Sequence, residues 1–124
     1  MKGNAKITGT MLGYEDHGIM TCYLNLEQGA SGQGFGGYGL DDVPKKNRNG
    51  NREGDRRPSK FCGFWIKRIL ETVGVEKWED LKGKYVRVDG EDFGSIKGIG
   101  HITEDKWFFP EKEIKELKKG KEED

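Results

Sequence analysis

The chain has 124 residues, with 22 Lys and Arg balancing 22 Asp and Glu, and only 32% of its residues are hydrophobic. That length fits one domain, and the zero net charge gives no reason by itself to expect a nucleic-acid or membrane partner. No apolar run reaches the ~20 residues that span a bilayer. Two cysteines, Cys22 and Cys62, with no signal-type leader, fit a cytosolic protein with reduced thiols.

In chain order, Ala5 to Leu12 reads as a strand with Ala5, Ile7 and Met11 on one face. A turn at "YEDHG" leads into Ile19 to Glu27, the clearest strand. There Met20, Cys22, Leu24 and Leu26 point one way, and Thr21, Tyr23, Asn25 and Glu27 the other, so the two strands predict an antiparallel hairpin. Phe35 to Leu40 is expected as a third strand, and Asp41 to Pro58, polar and rich in Gly, Asn and Arg, as a long exposed loop.

Ser59 is the expected N-cap of an amphipathic helix. Its stripe is Cys62, Trp65, Ile66, Ile69, Leu70 and Val73, at helical spacing, and Gly74 closes it. Phe61 and Phe64 lie off that stripe and give the helix a second apolar face, for a partner or for burial under the loop. "VEKWEDLKGK" predicts a short helical turn with Trp78 and Leu81 inward. Strands follow at Tyr85–Asp89, Ser95–Ile102 and Lys106–Phe109, and Pro110 opens a terminal helix anchored by Ile114 and Leu117, with a frayed charged tail from about residue 118. The fold class expected is α+β: a small antiparallel β-sheet, one main amphipathic helix and a short C-terminal helix in a single domain. Three Trp, six Phe and four Tyr must serve a thin core, and small cores are often completed by self-association, so a homo-oligomer is expected.

The stretch "EQGASGQGFGGYGLDD" holds six glycines between Gly29 and Gly39 and contains G-x-G-x-x-G twice. A dinucleotide-binding turn would need a helix directly after it; here "YGLDDVPKKN" follows, without amphipathic period, and no G-K-[ST] is present. Two readings remain: a twisted, bulged strand that needs glycine for packing, or an edge that offers bare backbone N–H groups to an anion. Seven Lys and Arg against two acids between Pro44 and Lys60 favour an anion, although such runs are often only solvated excursions. "EDHG" places carboxylates beside His17 but reads first as a polar turn. His17, Cys22, Cys62 and His101 lack zinc-ligand spacing, and both cysteines lie on apolar stripes as small hydrophobes. No catalytic constellation and no cofactor motif emerges.

Two segments, "YEDHGIMTCYLNLEQGASGQGFGGYGLDD" and "FWIKRILETVGVEKWEDLKGKYVRV", cover about half the chain. They resemble a family of small phage proteins that act as sponges against the bacterial Thoeris defence system. The resemblance implies a non-enzymatic protein of the infected host's cytoplasm that sequesters a cyclic ADP-ribose isomer intact. It also implies an oligomer, a dimer or an assembly of dimers up to a hexamer, with pockets at subunit boundaries. Some members hold cyclic oligonucleotides at a separate site. For such a ligand, the candidate phosphate contacts are Arg56 or Arg57 and backbone donors near Gly34, Gly36 and Gly37. Phe35, Tyr38 and Phe93 are the candidate stacking rings, and Asn25, Ser31 and Gln33 the candidates for ribose hydroxyls or adenine edges. The alternative is a nucleic-acid-binding module that uses the same basic loop and aromatics.

Overall fold

The computed structural model describes residues 2–15, 18–42, 48–50, 57–59, 61–90 and 96–123. Its frame follows from the alternation of the second strand. Cys22, Leu24 and Leu26 are all but fully buried, with Met20 packed at their margin, while Asn25 and Glu27 are exposed. Strand β2 (Ile19–Gln28) lies between β1 (Lys2–Glu15) and β3 (Ser31–Gly39), antiparallel to both. Strand β1 then pairs with β6 (Tyr85–Gly90), β6 with β7 (Ile96–His101) and β7 with β8 (Trp107–Phe108). The result is one six-stranded antiparallel sheet in the order β3-β2-β1-β6-β7-β8. The N-terminal hairpin and the later strands are thus continuous through the β1–β6 ladder.

Strand β1 departs from simple alternation. Ile7 faces Leu26, but Gly9 faces Asn25, so Thr8 is the extra residue of a β-bulge. Before the bulge Ala5 and Ile7 point into the core. After it the parity flips: Thr10 and Leu12 face Leu24 and Cys22, and Met11 faces Tyr23 on the outer side. The expectation that Met11 shares a face with Ala5 and Ile7 is therefore corrected, because one inserted residue moves every later side chain to the other face.

The sheet curls until β3 touches β7, four strands away. Helix α1 (Cys62–Val73) fills the concave side. Trp65 is its anchor: its ring stacks on Phe35 at 6.0 Å and meets Phe108 edge-on at 5.1 Å. Burial of an aromatic of this size contributes about 3–5 kcal/mol against truncation to alanine. Ile69 and Val73 continue the stripe, and Phe64, off the stripe, packs T-shaped on Phe108 at 6.4 Å. The second apolar face is thus partly taken up inside the chain. Gly74, at φ 87°, ends the helix and donates its N–H to the Leu70 carbonyl, as its sequence position predicts. Ser59 is not the N-cap; Phe61 holds that position, and the Ser59 hydroxyl accepts a hydrogen bond from the Phe61 N–H at 3.3 Å.

A 3₁₀ turn at Trp78–Asp80 follows, with Leu81 buried and the Trp78 indole N–H donating to Thr10 Oγ1 at 3.1 Å. Helix α2 (Pro110–Glu123) is fastened by polar contacts. Arg68 Nε donates to Glu113 Oε1 at 2.8 Å and the Arg68 guanidinium also donates to the Trp107 carbonyl at 2.8 Å. Glu111 bridges the two flanks of the curled sheet, accepting from the Tyr38 hydroxyl at 3.2 Å and lying 3.8 Å from Lys97 Nζ. Between β3 and α1, β4 (Asp41–Asp42) pairs with β5 (Arg57–Pro58), so the two ends of the expected loop are pinned together as a stem. No helix among the described residues is long and apolar enough to cross a membrane.

Candidate functional site

The glycine stretch is itself strand, and its glycines divide into two kinds. Thr21 faces Gly39 and Tyr23 faces Gly36, so β3 carries one extra residue there. Gly36 and Gly37 adopt φ 109° and 86°, values that L-residues with a Cβ rarely take. A Cβ on Gly36 would stand 2.7 Å from the Cys22 carbonyl oxygen. These two glycines make the bulge that lets β3 turn toward α1, and the fold accounts for them. Gly32 and Gly34 are different: their φ is not positive, and a Cβ on either would have nothing within 4 Å among the described residues. Neither backbone conformation nor packing among the described residues requires glycine at these two positions.

Gly32 and Gly34 stand opposite Glu27 and Asn25 on the outer side of the sheet, and Asn25 also faces Gly9 of β1. Asn25 is therefore flanked by two positions without side chains, and its carboxamide lies over Gly9, where a Cβ would stand 3.3 Å from Asn25 Nδ2. Around it opens a hollow of about 470 Å³, lined by Thr8, Asn25, Leu26, Glu27 and the run Gly29–Gly34. That volume lies in the ~300–1,000 Å³ range of small-molecule sites. Because β3 is an edge strand, one set of its backbone N–H and C=O groups has no strand partner among the described residues. The Thr8 hydroxyl donates to the Asn25 carbonyl at 3.3 Å and ties the β1 bulge to the site.

The structure brings together four of the sequence candidates, Asn25, Ser31, Gln33 and Gly34. By register Ser31 and Gln33 both belong to the inner row with Leu26 and Phe35, so they border the hollow with main chain, and the Gln33 Oε1 is buried with no hydrogen-bond partner among the described residues. The other candidates lie elsewhere. Phe35 is 2% exposed and packed between Trp65 and Phe108, so it is a core residue and has no free face for a ligand. Tyr38 is half-exposed, but its ring leans on Trp65 at 4.9 Å and its hydroxyl is held by Glu111. Burial and then the Glu111 charge raise its pKa. Arg57 is exposed on β5, opposite Asp42. It follows the far end of β3, whereas the hollow is at the Ser31 end; the strand between spans about 25 Å at ~3.3 Å per residue. Arg56, Phe93 and His17 lie outside the described residues.

The charge of the hollow is also unexpected. Among the described residues Glu27 is the charged side chain in its lining. Lys6 faces Glu27 across the β1–β2 ladder, but its ammonium sits 6.0 Å from the Tyr85 ring centroid, on the β6 side. Sequence reading passed over Thr8 and Glu27. The signal for Thr8 was Gly9, since an isolated glycine within a strand pattern often marks a bulge.

Cys22 is fully buried, and burial pushes its thiol pKa up to about 12, so it is an inert core group. His101 Nδ1 accepts hydrogen bonds from the Thr103 and Glu104 backbone N–H groups at 3.1 and 3.0 Å and organises the β7–β8 turn. Among the described residues no group of three or more His, Cys, Asp or Glu is placed to hold a metal ion. A second hollow, of about 500 Å³, contains Trp107 and Phe109 with Lys2, Lys112 and three carboxylates. Its rings are occupied by the fold: they stack on each other at 5.7 Å and cover Gly100 and Gly98. Comparison with protein-family models, with curated proteins and with solved structures finds no match.

Proposed function

We propose that this chain is a binding protein that captures a small nucleotide messenger of the cyclic ADP-ribose type and sequesters it without chemical change. One observation carries the reading. Gly32 and Gly34 leave open space on an edge strand, beside Asn25 and the main chain of Gly29–Gly34, that no described residue fills. Space kept free of side chains next to hydrogen-bonding groups suits a ligand that approaches the main chain closely. The resemblance of the glycine segment to the phage sponges supplies the class of ligand.

A sponge competes by affinity alone, and nanomolar binding requires about 12 kcal/mol. An open hollow with one carboxylate does not provide that by itself. The messenger's pyrophosphate needs cations, and the basic stretch of residues 44–60 is the obvious source. Arg57 is too far along its own chain, so the proposed site is completed by a second copy that presents its basic arm to the hollow of the first. This is the role proposed for the homo-oligomer.

The test is direct. The purified protein is incubated with glycocyclic ADP-ribose, stripped of free ligand, and denatured by heat. Release of the intact compound in stoichiometric amount is the expected result. A cleaved product would make the protein an enzyme, and no uptake would remove the messenger. Calorimetry with an oligonucleotide in parallel addresses the nucleic-acid alternative; tight, steeply salt-dependent uptake of the oligonucleotide alone would favour it.

A further inference from the structure

Resting on the proposed function for the identity of the ligand alone, we infer that a second copy of this chain docks on the bare edge of β3. The two β3 strands pair antiparallel about a two-fold axis through Gln33, and their outer hollows join into one trough. The two edges of the sheet are unlike. One is β8, two residues long, with α2 starting directly afterwards at Pro110. The other is β3, nine residues long, with neither proline nor a charged side chain. Chains that stay single shield a long edge with charge, proline or a bulge, because its unpaired main-chain groups template a further strand. Strand β3 has its bulge at Gly36 and Gly37, and residues 31–35 before it keep regular register with β2.

The faces set the register. Side chains alternate along a strand, so two identical antiparallel strands keep inner with inner only when the axis passes through a residue. An axis through Gln33 uses all of residues 31–35 and sets Gly32 against Gly34 of the second copy. On the outer side the bare positions of both copies then form one continuous floor, bounded by Asn25 and Glu27 of each β2. On the inner side the two Gln33 residues stand directly opposite, with Cβ atoms ~4.5–5.5 Å apart. Gln33 Oε1 has no hydrogen-bond partner among the described residues, and the carboxamide of the second Gln33 supplies the N–H donor. Charge agrees with this pairing. The two Glu27 carboxylates are three strand spacings apart, ~14 Å, beyond the ~8 Å screening length at physiological salt. Antiparallel strands also run the Gly39 end of one copy past the Ser31 end of the other. Ser31 pairs with Phe35 of the second copy, whose Gly39 lies ~13 Å further on, half the span within one chain. Arg57, on the β4–β5 stem beyond Gly39, is thereby carried to the side of the other copy's hollow, where Glu27 gives it an opposite charge.

The test uses the full chain. By analytical ultracentrifugation at micromolar concentration the parent is expected to be a dimer or a multiple of dimers; a monomer overturns the pairing. Gln33→Cys, made together with Cys62→Ser and oxidised at that concentration, should give a disulfide-linked dimer, because Cα atoms paired across the axis lie within disulfide reach. Glu27→Cys in the same background should not, and cross-linking of Glu27→Cys as fast as Gln33→Cys would overturn the register. Charge exchange covers the case in which the cysteine variant misfolds. Gln33→Glu and Gln33→Lys each set like charges across the axis and should weaken the dimer about tenfold or more, and an equimolar mixture of the two should restore it. A mixture no tighter than its components overturns the pairing. Messenger uptake should fall in each variant alone and return in the mixture, a rescue that loss of a direct Gln33 contact to ligand would not show. Full uptake by the separated chains would make the hollow complete within one copy and overturn the trough. The outcome is separable from the proposed function. Messenger captured intact by a chain that does not cross-link through Gln33→Cys sinks only this inference. A cross-linked dimer that takes up no messenger sinks only the messenger.

Discussion

Strand β3, at one edge of the curled sheet, and strand β7, next to the short β8 at the other, both carry glycine at outward positions, and they use it in opposite ways. On β7, Gly98 and Gly100 are buried; a Cβ on them would stand 2.5 Å from the Phe109 ring and 2.7 Å from the Trp107 ring. The guanidinium of Arg87 then covers Trp107 at 4.7 Å, completing a layered stack that belongs to the fold. On β3, Gly32 and Gly34 have no described residue above them. A glycine's vacant volume is therefore not evidence of a site. What distinguishes the two edges is whether the chain fills that volume with its own side chains.

That contrast can be broken by substitutions. The largest loss is expected for Gly36→Ala, where a Cβ meets the Cys22 carbonyl oxygen at 2.7 Å and φ is 109°. Steric overlap and backbone strain together predict about 3 kcal/mol or more, read from the midpoint of urea unfolding. Gly100→Ala should follow at about 1–3 kcal/mol, because the Trp107 ring must lift from the strand; tryptophan emission should shift to the red, and an unchanged spectrum would argue against the stack. Gly34→Ala is the informative third. Its stability should stay within about 0.5 kcal/mol of the parent. Its messenger affinity should fall about tenfold or more, as a methyl group enters the hollow. A large stability loss at Gly34 would erase the distinction between the edges.

The smallest effect concerns the place where both flanks meet Glu111. Tyr38 has its pKa raised by burial first and by the Glu111 charge second. A raised folded-state value means that the folded chain holds the phenolic proton more tightly than the unfolded chain does. The contribution is complete below the ordinary tyrosine pKa of ~10 and is lost as pH rises through the higher folded value. The midpoint of unfolding should thus fall somewhat more steeply above about pH 10 in the parent than in Tyr38→Phe. Parallel pH profiles would mean that folding does not raise the Tyr38 pKa.

Local pattern in the sequence determined a good deal of this protein. The alternation Cys22, Leu24, Leu26 set the buried face of β2, and the spacing from Cys62 to Val73 with Gly74 after it set α1 and its end. The order of elements, the antiparallel sheet and the presence of Asn25, Ser31, Gln33 and Gly34 in one region were also legible, because each depends on neighbours along the chain or on a single hairpin. Only the tertiary structure decided the rest. Thr8 forms a bulge, which inverts the faces of Thr10, Met11 and Leu12, and that depends on how two strands register against each other. Phe35 became a core residue because strand twist accumulates over six strands into a curl that brings β3 onto Trp65 and Phe108, and Arg57 lies away from the hollow because β5 pairs with β4 beyond the opposite end of β3. Periodicity specifies which side of a strand faces inward; it carries no information about how far the whole sheet bends, and that bend selected which glycines were filled and which were left open.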